Sequence, residues 1–179
     1  NVNILKEFAT LLPVIVIVRL LGVPETMAKN LLSWSNDMVM MYQARRTKEL
    51  EIQANSSAQE FVNFMEKYIE EKRYKPEDDL ISHLIAAEEE GEKLTKDELI
   101  STCILLLNAG HEATVHTLGN GIKAILEYGE EKSCLSPKFI NATVEEILRY
   151  DPPLHIFTRY AYEDIIFRNH QFKCGDEVA

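Results

Sequence analysis

The run LLLNAGHEAT, Leu105 to Thr114, sets a glycine, a histidine and a glutamate side by side among apolar neighbours. Glycine is a poor helix former, and a carboxyl in an apolar helix is expensive unless it is paired or has a task. Two readings of Ala109 and Gly110 follow. Their missing bulk lets a flat ligand approach the backbone, or it marks a crossing point for another helix with Glu112 in an ion pair. The overlapping HEATVH invites a metal-site reading, in which two histidines four apart grip one ion. Here His111 and His116 are five apart, roughly 140° around a helix, so they cannot share an ion from one helix and no metal site is assigned. His116 then reads as a packed or surface histidine. A third stretch, EEILRYDPP, places Glu146 and Arg149 three apart. Exposed, such a pair contributes a few tenths of a kcal/mol at about i,i+3 spacing. Ile147, Leu148 and the following prolines offer the alternative of a buried helix end.

The elements that must position these residues are mostly helical. PETMAKNLLSWSNDMVMMYQA repeats apolar residues at Met27, Leu31, Trp34, Met38 and Met41. SSAQEFVNFMEKYIEEKR opens with Ser57 and Glu60 at capping-box spacing, and Phe61, Phe64, Met65, Tyr68 and Ile69 form its stripe. PEDDLISHLIAAEEEG turns Leu80, Leu84, Ile85 and Ala87 inward and stops at Gly91. Thr95 and Glu98 form a second capping box, whose helix runs to about Tyr128. At about 1.5 Å per residue it is some 50 Å long and must cross the whole domain. A last helix, from Lys138 to Tyr150, ends at DPP. From Leu154 to Ala179 the pattern alternates, giving two or three short strands with a turn near residues 168–170. The expectation is a mainly α fold in one domain, 1–179, with a helical core over about 1–150 and short strands over about 154–179.

With 179 residues, 46% hydrophobic and 27% charged, the composition is that of one globular domain. A net charge of −10 argues against nucleic acid, which requires a basic face. The acidic run from Glu77 to Glu98 reads as a solvated surface. Cys103, Cys134 and Cys174 show neither disulfide nor zinc spacing, which points to a reducing, cytoplasmic setting. The most apolar stretch, Leu11 to Val23, is too short to span a bilayer and lacks signal-peptide flanks, so it reads as a buried helix with no membrane role. The start without Met is compatible with a processed, cloned or truncated beginning.

LLLNAGHEAT followed by VEEILRYDPPLHIFTRYAYED, at this separation, resembles the cytochrome P450 family of haem-thiolate monooxygenases, closest to its bacterial members. LLPVIVIVRLLGVPE, the DDLISHLIAAEEEGEKLTKDELIST stretch and FKCGDEV look like family segments too. The resemblance implies a partial P450-like fold whose long central helix passes over the distal face of a haem. It implies cofactor contacts at Ala109, Gly110, Ala113 and Arg159, the last pairing with a haem propionate. Glu112 matches the acid of an acid–alcohol pair that relays protons. Ala113 stands where the alcohol belongs, and Thr114 follows one residue later as the remaining catalytic hydroxyl, rotated about 100°. Leu154, His155, Ile156 and Phe157 match a substrate-lining stretch, and Glu146 with Arg149 match a buried structural ion pair.

The cysteine loop F-x-x-G-x-x-x-C-x-G is matched only in spacing. Phe167 and Cys174 fit, but His170 and Asp176 occupy the glycine positions. The resemblance therefore implies a middle portion of the fold, without its front and without its thiolate loop. The implied chemistry is oxygen insertion into a small organic substrate, fed by a ferredoxin-type donor. The chain alone is expected to be inactive, with self-association through exposed apolar surface. The alternative is a degenerate, non-catalytic helical scaffold.

Overall fold

A computed structural model describes residues 2–43, 45–89, 94–128 and 132–179. A π-turn at Leu5–Ala9 leads into α1 (Leu11–Leu21), followed by α2 (Ala28–Val39), α3 (Lys48–Tyr74), α4 (Leu80–Glu89), α5 (Lys96–Tyr128) and α6 (Ile140–Tyr150). Four short strands follow: β1 (Arg159–Tyr160), β2 (Ile165–Phe167), β3 (His170–Phe172) and β4 (Glu177–Val178). The fold is mainly α, as the periodicity implied. No helix among the described residues is long and apolar enough to cross a membrane.

The core joins α1, α2, α3, α4 and the first half of α5. Val14, Val18 and Leu21 meet Leu31, Phe61, Met65, Ile69, Ile81, Leu99, Cys103 and Leu107, all fully buried or nearly so. Burial of each such side chain stabilises the fold by about 1.5–3 kcal/mol before entropy is subtracted. The Thr95–Glu98 box forms as expected: Thr95 donates its backbone N–H to the Glu98 carboxylate, and Glu98 N–H reaches Thr95 Oγ1 at 3.3 Å.

Four expectations need correction. The Ser57–Glu60 spacing opens no helix; α3 begins nine residues earlier, capped by Thr47, whose Oγ1 accepts from Leu50 N–H. Ser57 is buried within it and donates to Asp37 on α2 at 2.6 Å. The Leu11–Val23 helix is buried on one face only: Val16 and Leu20 are more than half exposed. The acidic run is not wholly solvated. Asp79 is buried, caps α4 by accepting from Ser82 N–H, and lies 2.5 Å from the buried Lys72 Nζ. Lys138 also precedes α6, which starts at Ile140. Gly91, the expected stop of α4, lies outside the described residues.

That buried pair closes one end of the bundle. Gly22 ends α1 with φ +79°, and a Cβ there would run into Asp79, so only glycine fits. Tyr68 on α3 donates its hydroxyl to the Gly22 carbonyl. At the other end of the chain, β1 pairs antiparallel with β4 and β2 with β3, in register Ile165 opposite Phe172. Arg168 takes φ 54° in the β2–β3 turn, where the sequence placed one. The strands pack on each other rather than on the helices.

Candidate functional site

The centre of α5 presents different residues to different surroundings. Toward α1 it shows Gly110 and Thr114, which share an apolar groove of about 250 Å³ with Leu12, Pro13, Val16, Ile17 and Leu118. A Cβ on Gly110 would lie 3.1 Å from Ile17 Cδ1, so the glycine admits the crossing helix. Thr114 Oγ1 donates to the Gly110 carbonyl at 2.6 Å, which ties its hydroxyl to its own helix. His111 is 6% exposed, and its Nε2 lies 2.9 Å from the Thr10 carbonyl. A carbonyl only accepts, so Nε2 carries the proton and donates.

Solvent meets another side of α5. Leu105 is 62% exposed, Ala109, Glu112 and His116 are exposed, and Ala113 is half-buried beside them. Ala109 and Ala113 are one turn apart and present little more than backbone. Ala109 and Gly110 therefore do not open one gap: the alanine faces outward and the glycine faces α1. Glu112 and His116 approach each other, Oε1 to Nε2, at 3.8 Å. The two HEATVH histidines thus occupy separate environments, one in the α1 interface and one on the surface. Among the described residues no cluster of three or more His, Cys, Asp or Glu side chains is arranged to hold a metal ion.

On α6, Arg149 Nε and Nη2 donate to the two Glu146 carboxylate oxygens at 2.7 and 2.6 Å. The expected pair forms, but it is exposed rather than buried, with side chains 69% and 61% accessible. Nothing among the described residues covers this side of α6. Even so, the guanidinium holds the Glu146 carboxyl below its usual range. Behind the pair lies an apolar groove of about 690 Å³, lined by Ile125, Phe139, Ile147, Tyr150 and Cys134 among others. Asn120 on α5 fixes the end of α6 by donating to the Asp151 carbonyl at 3.0 Å. Beyond it Leu154, Ile156 and Phe157 are exposed, and His155 Nε2 stands 3.5 Å from Asp151. Arg159 spends one guanidinium nitrogen on the Thr158 carbonyl at 2.9 Å.

The three thiols are placed unlike one another. Cys103 is in the core, and burial pushes its thiol up to about 12, which leaves it inert at neutral pH. Cys134 is half-buried beside the α6 groove. Cys174 is exposed in a turn, with Sγ 3.2 Å from the Tyr162 carbonyl.

Comparison with known proteins fits this geometry. The cytochrome P450 profile matches residues 14–135, more than half of the chain. The polyketide biosynthesis cytochrome P450 PksS of Bacillus subtilis is 41% identical over 179 residues, covering 98% of this chain and 43% of that protein. The 6-deoxyerythronolide B hydroxylase of Saccharopolyspora erythraea is 36% identical over 167 residues. Among solved structures, P450BioI bound to an acyl carrier protein ligated with hexadec-9Z-enoic acid superposes with a TM-score of 0.85 at 31% identity, over 98% of this chain and 46% of that one. The chain belongs to the cytochrome P450 family, whose members bind haem. It spans less than half the length of the curated relatives it matches.

The residues present fit part of a haem site. The outward stripe of Ala109 and Ala113 suits the flat face of a macrocycle, and Arg159 has donors left for a propionate. A thiolate ligand is not fitted: Cys103 is sealed in the core, and Cys174 Sγ is bonded to the carbonyl of Tyr162, twelve residues back. The sequence reading missed the partners of His111 and His116. For His116 a signal was available, since Glu112 and His116 are four apart and must share a helix face.

Proposed function

We propose that this segment supplies the distal half of the active site of a haem-dependent monooxygenase that inserts oxygen into a small organic substrate. The observation that carries the reading is the outward stripe of α5, where two alanines leave the helix bare beside a carboxylate. Haem, when bound there, supplies the activation of dioxygen. Ala109 and Ala113 keep side-chain bulk off that face, while Gly110 seats the helix against α1. Glu112 places a carboxylate beside the bare stripe, where it can take up and release a proton. Arg159 offers a planar fork to a propionate, and Leu154, His155, Ile156 and Phe157 form one wall for substrate. Glu146 and Arg149 form an ion pair along α6 that further polypeptide would bury. Thr114 is kept from proton relay by its bond to Gly110.

The setting is cytoplasmic and the electron donor a ferredoxin-type protein. The acyl carrier protein held by P450BioI supports a protein-tethered acyl chain as the substrate class. The 179-residue chain alone neither ligates iron through thiolate nor turns over. Reduction under carbon monoxide tests both halves of the reading. A thiolate–haem Soret band from the chain alone overturns the second half. Its absence from a full-length enzyme carrying this segment overturns the first.

One observation favours an additional role in association. Val16, Leu20, Leu126 and Ile156 are among the exposed apolar side chains. Self-association through that surface follows, and light scattering showing a monomer across a hundredfold concentration range counts against it.

A further inference from the structure

The resemblance implies a proton carrier next to the acid Glu112, and this chain has Ala113 at the position implied for an alcohol. Thr114 does not replace it. Its hydroxyl donates to the Gly110 carbonyl at 2.6 Å, on the side of α5 that faces α1. The proton carrier beside Glu112 is instead His116, four residues on and about 40° around the helix, with Nε2 3.8 Å from Glu112 Oε1. Both side chains are more than half exposed, at 55% and 60%. The elements packed against α5 are the π-turn, α1, α2, α3 and α6. Among the described residues, neither Glu112 nor His116 makes a second ion pair.

We infer that His116 is a positioning and proton-inlet residue for Glu112: it takes protons from bulk water and passes them to the carboxylate. This rests on the haem-monooxygenase reading above. The step balances without a co-reactant. The imidazolium gives its Nε2 proton to a Glu112 carboxylate oxygen, leaving neutral imidazole and a carboxylic acid, and water then returns a proton to the ring. Imidazole suits the task because its ring nitrogens can both accept a proton and give one up. A hydroxyl at residue 113 would touch the cofactor face. His116 lies further along α5, where it can feed Glu112 but does not take over the alcohol's contact.

Two measurements test the inlet. In the 179-residue chain, the His116 ring is titrated by nitrogen–proton NMR, with His83 as internal reference. Glu112→Gln lowers the His116 midpoint by about 0.2–0.4 pH unit, the size of an i,i+4 charge pair, and leaves His83 unmoved. An unchanged His116 midpoint overturns the pairing. In haem-loaded enzyme carrying this segment, His116→Gln lowers turnover by about tenfold, less than loss of a direct general acid because water still reaches Glu112. It also enlarges the solvent deuterium isotope effect and flattens the pH profile. His83→Gln changes none of these. If native enzyme shows the thiolate–haem band and turns over, but His116→Gln matches it in rate, isotope effect and pH profile, the inlet is wrong and the monooxygenase reading stands. If native enzyme shows no such band, that reading fails and takes the inlet with it.

Discussion

At the end of α3, Lys72 Nζ lies 2.5 Å from Asp79, with side chains 5% and 4% exposed. On α6, Arg149 lies 2.6 Å from Glu146, with side chains 69% and 61% exposed. Distance alone makes the two pairs equivalent; their surroundings do not. Lys72 reaches a second carboxylate, Glu77, at 2.6 Å, and Asp79 also accepts from Ser82 N–H. Those bonds replace the water both charges have lost. The α6 pair keeps its water, and so gains little from being formed. The contrast separates what already holds this chain together from what a covering surface would have to complete.

The largest expected effect breaks the buried pair. Asp79→Ala leaves Lys72 and the Gly22 turn without their anchor and costs about 3–5 kcal/mol in urea unfolding. A loss below 1 kcal/mol would mean that Glu77 alone satisfies the lysine. The same pair sets a pH dependence. Burial works to raise the Asp79 carboxyl, but hydrogen bonds from Lys72 and Ser82 win, and it sits below its ordinary value. Burial likewise works to lower Lys72, and its bonds to Asp79 and Glu77 hold it above. The carboxylate contribution is therefore complete above the ordinary Asp range, near pH 4, and is lost as acid titrates the depressed group. The lysine contribution is complete below its ordinary range and is lost only in strong alkali. Stability measured from pH 6 to pH 2 falls less steeply in Asp79→Asn than in the native chain.

An intermediate effect is expected at the α1–α5 interface. His111→Phe keeps most of the packing but leaves the Thr10 carbonyl without this donor, for a loss of about 1–3 kcal/mol. A glutamine there, which retains an N–H, recovers part of it. Ser57→Ala, which removes the bond to Asp37, costs about 1 kcal/mol in the same assay. The smallest effect is Arg149→Ala, which leaves the melting temperature of this chain unchanged. The comparison sharpens if the same change is made where further polypeptide covers α6: there the Glu146 charge is stranded, and the loss approaches that of Asp79→Ala.

Local signals were the legible ones. Thr95 and Glu98 face each other across one turn, so four residues decided that cap. Ser57 and Glu60 have the same spacing and cap nothing, because Thr47 had already started the helix and Asp37, twenty residues away, claimed the serine hydroxyl. Lys72 and Asp79 were invisible in the sequence: PEDD reads as surface charge until α1 and α3 close over it. The same limit applied to Ala109 and Gly110. Their small size was plain, but only the crossing of α1 separates the residue facing Ile17 from the one facing outward.

The π-turn at Leu5–Ala9 carries its own consequence. It bonds Thr10 N–H back to the Leu5 carbonyl, five residues away, and so accommodates one residue more than an α-turn would. Its first residue, Leu5, packs against Gly119, and downstream of it Ile17 packs against Gly110. Deleting one residue from that loop of chain would leave every side chain in place by name but re-phase the second contact against the first, by about 100°. The segment thus acts as a spacer that keeps two glycine notches in step, and drift in its length, more than in its composition, is what the neighbouring helices would not tolerate.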